Sequence, residues 1–481
     1  DPETKKWTSR RRIPNSTFGQ DRRSGFLQGE NGELQFCFAS DLRNTKAPKE
    51  SGIYVATLDS ALQLPDATPP GKPKDLSAEP FSPSQETPER PADDRHVWKT
   101  GGKEYGLYWG DVHRHTDVSN CRTGFDGCIS EHFRYAYDIG KLDFMGTSDH
   151  TDVGKIYHPY EWHHNQRMHD ALHAPGQFNT LYVYEREQRW PWGHRNIVFA
   201  QRGGPVIYIN RNTYRSSPWN DEFPVGPGLN EIHPTELWKL LEEYGKPVTA
   251  ISHTGATGMG TDWTKYDEAI DYEYETVVEI FQGARVSYEG IGAPQPTVGL
   301  RPNEAYTANS GATPPEPPQP IEDFGQYNPG VYQNALHVGH RLGVFASSDH
   351  ISQHAAYGGV YCENFTREGL IDGFKTKMTV AATDKIYVEF TVDDQPMGSA
   401  LTTSEPPKIW FRVLGTAKLK RVTVIRNEKD WVVIDGIDSA EYENEEIDDK
   451  PFDGENRYYL RIEQEDGNMA WASPVWVTFS S

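Results

Sequence analysis

The sequence predicts an α/β core, followed by a β-sandwich and preceded by an extended N-terminal segment. Three observations predict it. From about residue 101, short apolar strands alternate with helical stretches, the pattern of a parallel α/β sheet or barrel. Several of those strands run, at their C-terminal ends, into groups rich in histidine and carboxylate. From Lys375 onward, short alternating strand candidates separated by turn signals replace the helical stretches, which argues a β-sandwich. The domains so defined are 1–100, 101–380 and 381–481.

Composition bounds the function. The chain has 481 residues, 36% hydrophobic and 25% charged, which describes a globular protein of about three ordinary domains. It holds no run of about 18 apolar residues, so no transmembrane helix is expected. A formal charge of −22 argues against nucleic acid as a stable partner, because holding phosphates needs a basic surface. Bound divalent cations can still create a local electropositive pocket. Four cysteines are too few for a disulfide scaffold. Cys121 and Cys128 lie close together in sequence; a disulfide there points to an oxidising compartment, and a free thiol at Cys121 is a potential ligand. The chain opens Asp1-Pro2-Glu3-Thr4 with no basic and apolar leader, which fits either a cytoplasmic chain or a processed periplasmic or secreted one.

The N-terminal hundred residues carry basic patches at Arg10-Arg11-Arg12 and Arg22-Arg23, read as solvated surface, and a strand over 53–58. Prolines recurring through 64–94 mark a linker or a strap across the surface. The α/β core opens with Leu107-Tyr108-Trp109-Gly110-Asp111-Val112-His113-Arg114-His115-Thr116, an apolar strand that turns polar. Alternation puts Asp111, His113 and His115 on one face, two imidazoles with a carboxylate behind them. A helix follows over 129–139, then the strand Leu142 to His150, ending Thr-Ser-Asp-His. A helix within 151–178 carries Trp162, His163, His164, His169 and His173; no glutamate follows His169, so it is read as a solvated or pocket-edge helix.

The next strand, 179–187, places Glu185 and Glu187 on one face without choosing between them. His194 follows within Trp192-Gly193-His194-Arg195-Asn196 and leads into the apolar 197–200. A helix is predicted over 234–244, a strand over 247–254 ending Ser-His-Thr, another over 277–281, a proline-rich loop or lid over 294–320, and a helix over 330–341. The strand 342–350 ends Ser-Ser-Asp-His, the second Ser-Asp-His in the chain. Ligands in parallel α/β proteins bind where the carboxyl ends of strands open, so this repetition marks the site. In the sandwich region the acidic stretch 441–449 is read as a solvated loop. No phosphate-cradling glycine loop of the Walker type is present.

Taken in order, Asp-Val-His-Arg-His-Thr at 111–116, Thr-Ser-Asp-His at 147–150, a strand glutamate followed by Gly-His-Arg-Asn at 193–196, Ser-His-Thr at 252–254 and Ser-Ser-Asp-His at 347–350 resemble the ordered motifs of the PHP (polymerase and histidinol phosphatase) superfamily. The resemblance covers roughly residues 101–380 and is similar above all to a branch carried as a domain of unknown function. It implies a distorted parallel (β/α)7-type barrel with the C-terminal β-sandwich packed after it. It implies that His113 and His115 bind one metal with Asp349, and that Glu185 bridges to a second held by His194 and His253. His150, His350 and Asp149 would then serve catalysis or a third site. Two departures bear on that third site. The family's last motif is usually Asp-x-His, whereas Asp349 and His350 are adjacent and would point apart in a regular strand. Cys121 stands where the family often has histidine, and pairing with Cys128 would favour two metals over three.

The residues support this chemistry in their own right. Imidazole and carboxylate suit zinc, manganese or iron, and two such ions clamp the attacking and leaving oxygens of a displacement. A metal-bound hydroxide is the expected nucleophile, with His150 or His350 as general acid. A closed structural zinc site would favour four ligands and cysteine. The expected function is hydrolysis of a small-molecule phosphodiester or phosphomonoester with two or three divalent ions. Arg186, Arg195, Trp190, Trp192 and Tyr108 are candidates to line the substrate pocket. Hydrolysis of another ester or amide is the alternative enzyme, and a carbohydrate- or partner-binding protein with a vestigial metal site is the non-enzymatic one. No membrane partner is expected.

Overall fold

The computed structural model describes residues 22–28, 34–40, 52–58, 95–119, 126–151, 159–188, 191–209, 233–255, 257, 259–266, 269–283, 286–290, 293–295, 329–350 and 356–480. They fall into two compact units, Asp1–Asp93 and Asp94–Ser481. The first holds a three-stranded antiparallel sheet of Arg22–Gln28, Leu34–Ser40 and Gly52–Leu58, with the middle strand paired to both others. The expected 53–58 strand is present, and two further strands accompany it. The proline-rich 64–94 lies outside the described residues, as do Arg10-Arg11-Arg12 and most of the expected 294–320 excursion.

In the second unit the strands of the α/β region divide between two sheets. One runs Val286–Ser287, Glu275–Gln282, Val248–Ser252, His194–Phe199, Tyr182–Glu187 and Ser148–His150, with Gly343–Ser347 also paired to Glu275–Gln282. It is mixed. Val248–Ser252, Glu275–Gln282 and Gly343–Ser347 are parallel, and so are Ser148–His150 and Tyr182–Glu187, but His194–Phe199 is antiparallel to both its neighbours. The loop from Glu187 to His194 is too short for the crossover that a parallel pair requires, so this pair forms a hairpin. Where a distorted parallel barrel was expected, the strands of the described residues thus form a mixed α/β arrangement of several sheets.

Lys103–Asp111 lies in the second sheet, between Tyr357–Cys362 and Phe144–Met145. That sheet continues through Thr379–Ala382 and Met469–Ala472 into Gly454–Gln464 and Val475–Phe479, so hydrogen bonding runs unbroken across residue 380. A four-stranded sheet of Gln395–Pro396, Tyr387–Val392, Lys408–Leu414 and Glu441–Ile447 accompanies it. Val388, Phe390, Ile409 and Phe411 from the small sheet share one apolar core with Val422, Leu460 and Ile462 from the large one, the packing of a sandwich. The same core takes in Leu107, Trp109, Ile129 and Phe133.

Glu441–Ile447 is a strand rather than the loop its charge suggested. It is an edge strand whose acids meet a basic partner across the ladder, with Arg412 on Glu441 and Lys408 on Glu445. Helices Ile129–Arg134, continued by a π-helical turn Tyr135–Ile139, and Pro234–Tyr244 stand where the apolar spacing put them. Pro159–Ala171 also forms, but His169 on it is buried, not solvated: its Nδ1 donates to the Asn165 carbonyl at 2.7 Å and its Nε2 accepts the Thr147 N–H. Among the described residues no helix is long and apolar enough to cross a membrane.

Candidate metal centre

The carboxyl ends of the parallel strands and the amino end of His194–Phe199 converge on a cluster of histidines around two carboxylates. Glu185 and His194 are diagonal neighbours on one face of the hairpin, Glu185 paired with Asn196 and His194 with Glu187, and His253 follows the strand alongside. Strand alternation turns Arg186 and Arg195 to the opposite face. His113 and His115 lie just past Lys103–Asp111, beside the end of Gly343–Ser347, where Arg114 and Asp349 form a parallel bridge.

Glu185 stands at the centre. Its Oε1 is 2.8 Å from His194 Nδ1 and 2.8 Å from His253 Nε2. Its Oε2 is 3.0 Å from Nε2 of both His115 and His150, and 3.7 Å from Nε2 of His113. Asp349 Oδ1 lies 3.0 Å from His115 Nε2, 3.5 Å from His113 Nε2 and 3.3 Å from His350 Nε2. Three overlapping triads result: His113, Glu185 and His253; His113, His115 and Asp349; His115, His150 and Glu185. The side chains of His150, His350 and His194 are 12%, 13% and 10% exposed against 1% for His113 and His115, so these three are the less buried histidines of the cluster.

The donor set fits divalent ions. His113 Nδ1 donates to Glu279 Oε1 at 2.8 Å, which leaves the Nε2 lone pair facing Glu185 and Asp349; that buried atom has no hydrogen bond. Ser119 Oγ accepts the His150 N–H and donates to Asp149 Oδ1, so its remaining lone pair accepts His115 Nδ1–H at 2.9 Å. The Nε2 lone pair of His115 therefore points at two carboxylate oxygens 3.0 Å away. Lone pairs facing carboxylates need a cation between them. Without one, a proton takes its place. Burial disfavours charge on His113, but Glu279 and Asp349 outweigh it and raise its pKa to about 10. Burial also works against ionised Glu185 and Asp349, yet the surrounding histidines hold both well below the usual carboxylate range. His194 is pushed down to about 4 by burial, which its contact with Glu185 does not offset, and His253 is lowered by burial and by the neighbouring His113.

Two backbone features set this geometry. Asp349 has φ of 66°, a left-handed conformation, so Asp349 and His350 do not alternate as in a strand and both reach the cluster. Gly193, before His194, has φ of 76°, and a Cβ there would sit 2.4 Å from Thr261 Oγ1 and 2.7 Å from the Gly260 carbonyl carbon, so only glycine fits.

The structure brings together His113, His115, Glu185, His253, Asp349 and His150, with His194 on Glu185 and His350 on Asp349. Glu185, not Glu187, occupies the centre; Glu187 accepts the Thr151 hydroxyl at 3.0 Å and stands 3.7 Å from His150 Nδ1. Asp149 lies behind the cluster, accepting from the N–H and hydroxyl of both Thr116 and Ser119. Asp111 accepts the N–H groups of His113 and Ser348 and joins no triad. Arg195 is buried against Trp192, Tyr266 and Glu275, and Arg186 is buried with Gln188. Tyr108 stacks on Phe365 at 4.0 Å in the core, and Trp192 meets His233 edge-on at 4.4 Å. Trp190 and Cys121 lie outside the described residues, and Cys128 carries a free thiol.

Four positioning residues escaped the sequence reading. Glu279 holds His113, Ser119 holds His115, Asp126 Oδ2 lies 3.1 Å from His350 Nδ1, and Gln282 donates to Asp349 Oδ2 at 3.0 Å. Glu279 did leave a signal, a lone carboxylate inside the apolar Val277-Val278-Glu279-Ile280-Phe281.

No family model matches the chain. An uncharacterized protein of Chlamydia trachomatis is 31% identical over 279 residues, and one of Chlamydia muridarum 29% over 279 residues; each alignment covers 53% of this chain and 42% of the relative. The chain thus spans less than half the length of these curated relatives. In structure it matches a two-domain protein containing a predicted PHP-like metal-dependent phosphoesterase from Bacteroides vulgatus, at 11% identity and a TM-score of 0.35, over 79% of this chain and 98% of that one.

Proposed function

We propose that this protein is a metal-dependent hydrolase acting on a small-molecule phosphoester. The observation that carries the reading is Glu185, whose two oxygens face different pairs of histidines while Asp349 closes the far side. A carboxylate shared in this way suits a bridge between adjacent ions. His113, His115 and Asp349 would hold one ion, and Glu185 with His253 and His194 a second. Bound there, zinc, manganese or iron would supply Lewis acidity and a water of lowered pKa. The chain's own residues do the rest. Glu279, Ser119 and Asp126 fix the ring orientations, and His150 and His350, among the less buried histidines, are placed to hold or deliver a proton to a leaving group.

With Arg186 and Arg195 turned away, bound ions would supply positive charge to receive a phosphate. The test is metal analysis of purified protein and of His113→Ala, with both assayed on bis(p-nitrophenyl) phosphate and p-nitrophenyl phosphate. Two or three ions per chain, lost together with activity in the variant, is the expected result. Fewer than one ion per chain after reconstitution would overturn the proposal.

A further inference from the structure

Behind the metal centre, on the opposite face of the same sheet, lies a second polar cluster that no part of the proposed chemistry uses. Arg195 and Ser252 are direct cross-strand partners, and each is the immediate chain neighbour of a histidine of the centre, Arg195 of His194 and Ser252 of His253. Both side chains run to one carboxylate. Ser252 Oγ donates to Glu275 Oε1, and Arg195 Nε lies 3.6 Å from the same oxygen. Tyr266 closes the loop: its hydroxyl donates to Glu275 Oε2 at 2.7 Å and accepts from Arg195 Nη2 at 2.7 Å. Arg195 Nη2 also donates to the Trp192 carbonyl at 2.6 Å, which pins the turn through Gly193 that delivers His194. Arg195, Glu275, Tyr266 and Ser252 are all fully or almost fully buried.

We propose that Glu275 is a positioning residue that fixes the spacing of His194 and His253 against Glu185. The inference rests on reading those histidines as metal ligands. Its physical basis is that Glu275 ties the two strands together from behind at the one register position that sets both rings. His194 Nδ1 and His253 Nε2 must both reach Glu185 Oε1, each at 2.8 Å, and the backbone link between them, His253 N–H to the His194 carbonyl, is a long 3.2 Å. Glu275 also neutralises Arg195, a guanidinium with no exposure to water. His113, His115 and Asp349 follow other strands, and their supports Glu279 and Gln282 lie further along the Glu275–Gln282 strand, so loss of the Glu275 carboxylate should fall mainly on the ion held through His194 and His253.

The test is a cobalt(II) titration of the chelator-treated, full-length protein, followed by visible absorption and by competition with a chromophoric chelator. Three variants are compared with the parent: Glu275→Gln, Ser252→Ala and, as a buried carboxylate remote from the centre, Glu289→Gln. Losing a residue that orients metal ligands typically weakens binding about 10- to 100-fold. Glu275→Gln is expected to weaken one class of bound cobalt by that factor and leave the other within about twofold, with Ser252→Ala showing the same selectivity at smaller size. Glu289→Gln should lower thermal stability with both classes unchanged. If Glu275→Gln fails to fold by circular dichroism, Ser252→Ala decides. Two classes weakened equally, or neither weakened in a folded variant, would overturn the inference. Parent protein that binds no cobalt would instead overturn the proposed function, so the two failures are distinct.

Discussion

Glu279 shows how one side chain outside the ligand set governs the centre. It is fully buried, and its bond to His113 Nδ1 decides which nitrogen of that imidazole is free to ligate. Glu279→Gln keeps the shape but offers a neutral partner, so metal affinity measured by chelator competition should drop about 10- to 100-fold with the fold retained; an unchanged affinity would show that His113 is oriented by packing alone. His169 carries the opposite lesson. It is neutral in the fold because Nδ1–H is spent on Asn165 and Nε2 accepts from Thr147, so a second proton would set N–H against N–H. Burial lowers its pKa from 6.5 to about 4. A depressed histidine means that the unfolded chain binds the extra proton first, so stability is full above pH 6.5 and falls as pH drops towards 4. The loss is on the order of 3 kcal/mol at pH 4. Urea unfolding of chelator-treated protein should show this slope, to which His194 and His253 also contribute, and His169→Gln should reduce it; equal slopes would rule the assignment out. Sequence spacing left His169 undecided between surface and pocket, because a solvated histidine and a satisfied core histidine look alike until the partners at Asn165 and Thr147 are known.

At the scale of elements, strand ends were legible and strand directions were not. The apolar runs into Asp-x-His-x-His, Ser-Asp-His and Ser-His-Thr are local patterns, and they place His113, His115, His150, His253 and Asp349 in one cluster. The direction of His194–Phe199 depends on the length of the loop before it, which is short enough to dictate a hairpin, a clue present in the spacing from Glu185 to His194. The adjacency of Asp349 and His350 looked incompatible with a shared site only under regular strand geometry. A left-handed residue, invisible to periodicity, resolves it. The same reasoning makes Gly193 a sensitive position. Gly193→Ala would meet Thr261 and the Gly260 backbone while holding a positive φ, so it should destabilise the protein by at least about 1 kcal/mol through backbone strain. It should also weaken metal binding by displacing His194. Normal stability and affinity in Gly193→Ala would mean that the turn can relax without moving the ligand.

On the scale of the whole unit, the sheet that carries His113 and His115 is the sheet on which the sandwich is built. Thr379–Ala382 pairs with Tyr357–Cys362 on one side and Met469–Ala472 on the other, so cutting the chain at residue 380 removes part of a central strand and the neighbour it needs. Side chains cross the same line. Glu289, beyond the Val286–Ser287 strand, accepts from Tyr459, Arg461 and Trp471, all from the C-terminal strands, and Phe281 stacks on Trp471 with ring centres 5.8 Å apart. Removing residues 381–481 would leave the buried carboxylate of Glu289 without its cation and open the apolar cluster around Phe281, Val344 and Ala346 to water. Stranding a buried charge costs about 3–5 kcal/mol, and each large apolar side chain returned to water about 1.5–3 kcal/mol more, costs of the same order as the 5–15 kcal/mol by which domains are stable. A 94–380 fragment is therefore expected neither to melt cooperatively nor to bind metal, whereas 94–481 should do both in one transition. Calorimetry and metal analysis of the two fragments side by side test this. A soluble 94–380 that melts sharply and keeps its ions would show that the metal-binding region folds alone, with the C-terminal strands an addition to a complete core.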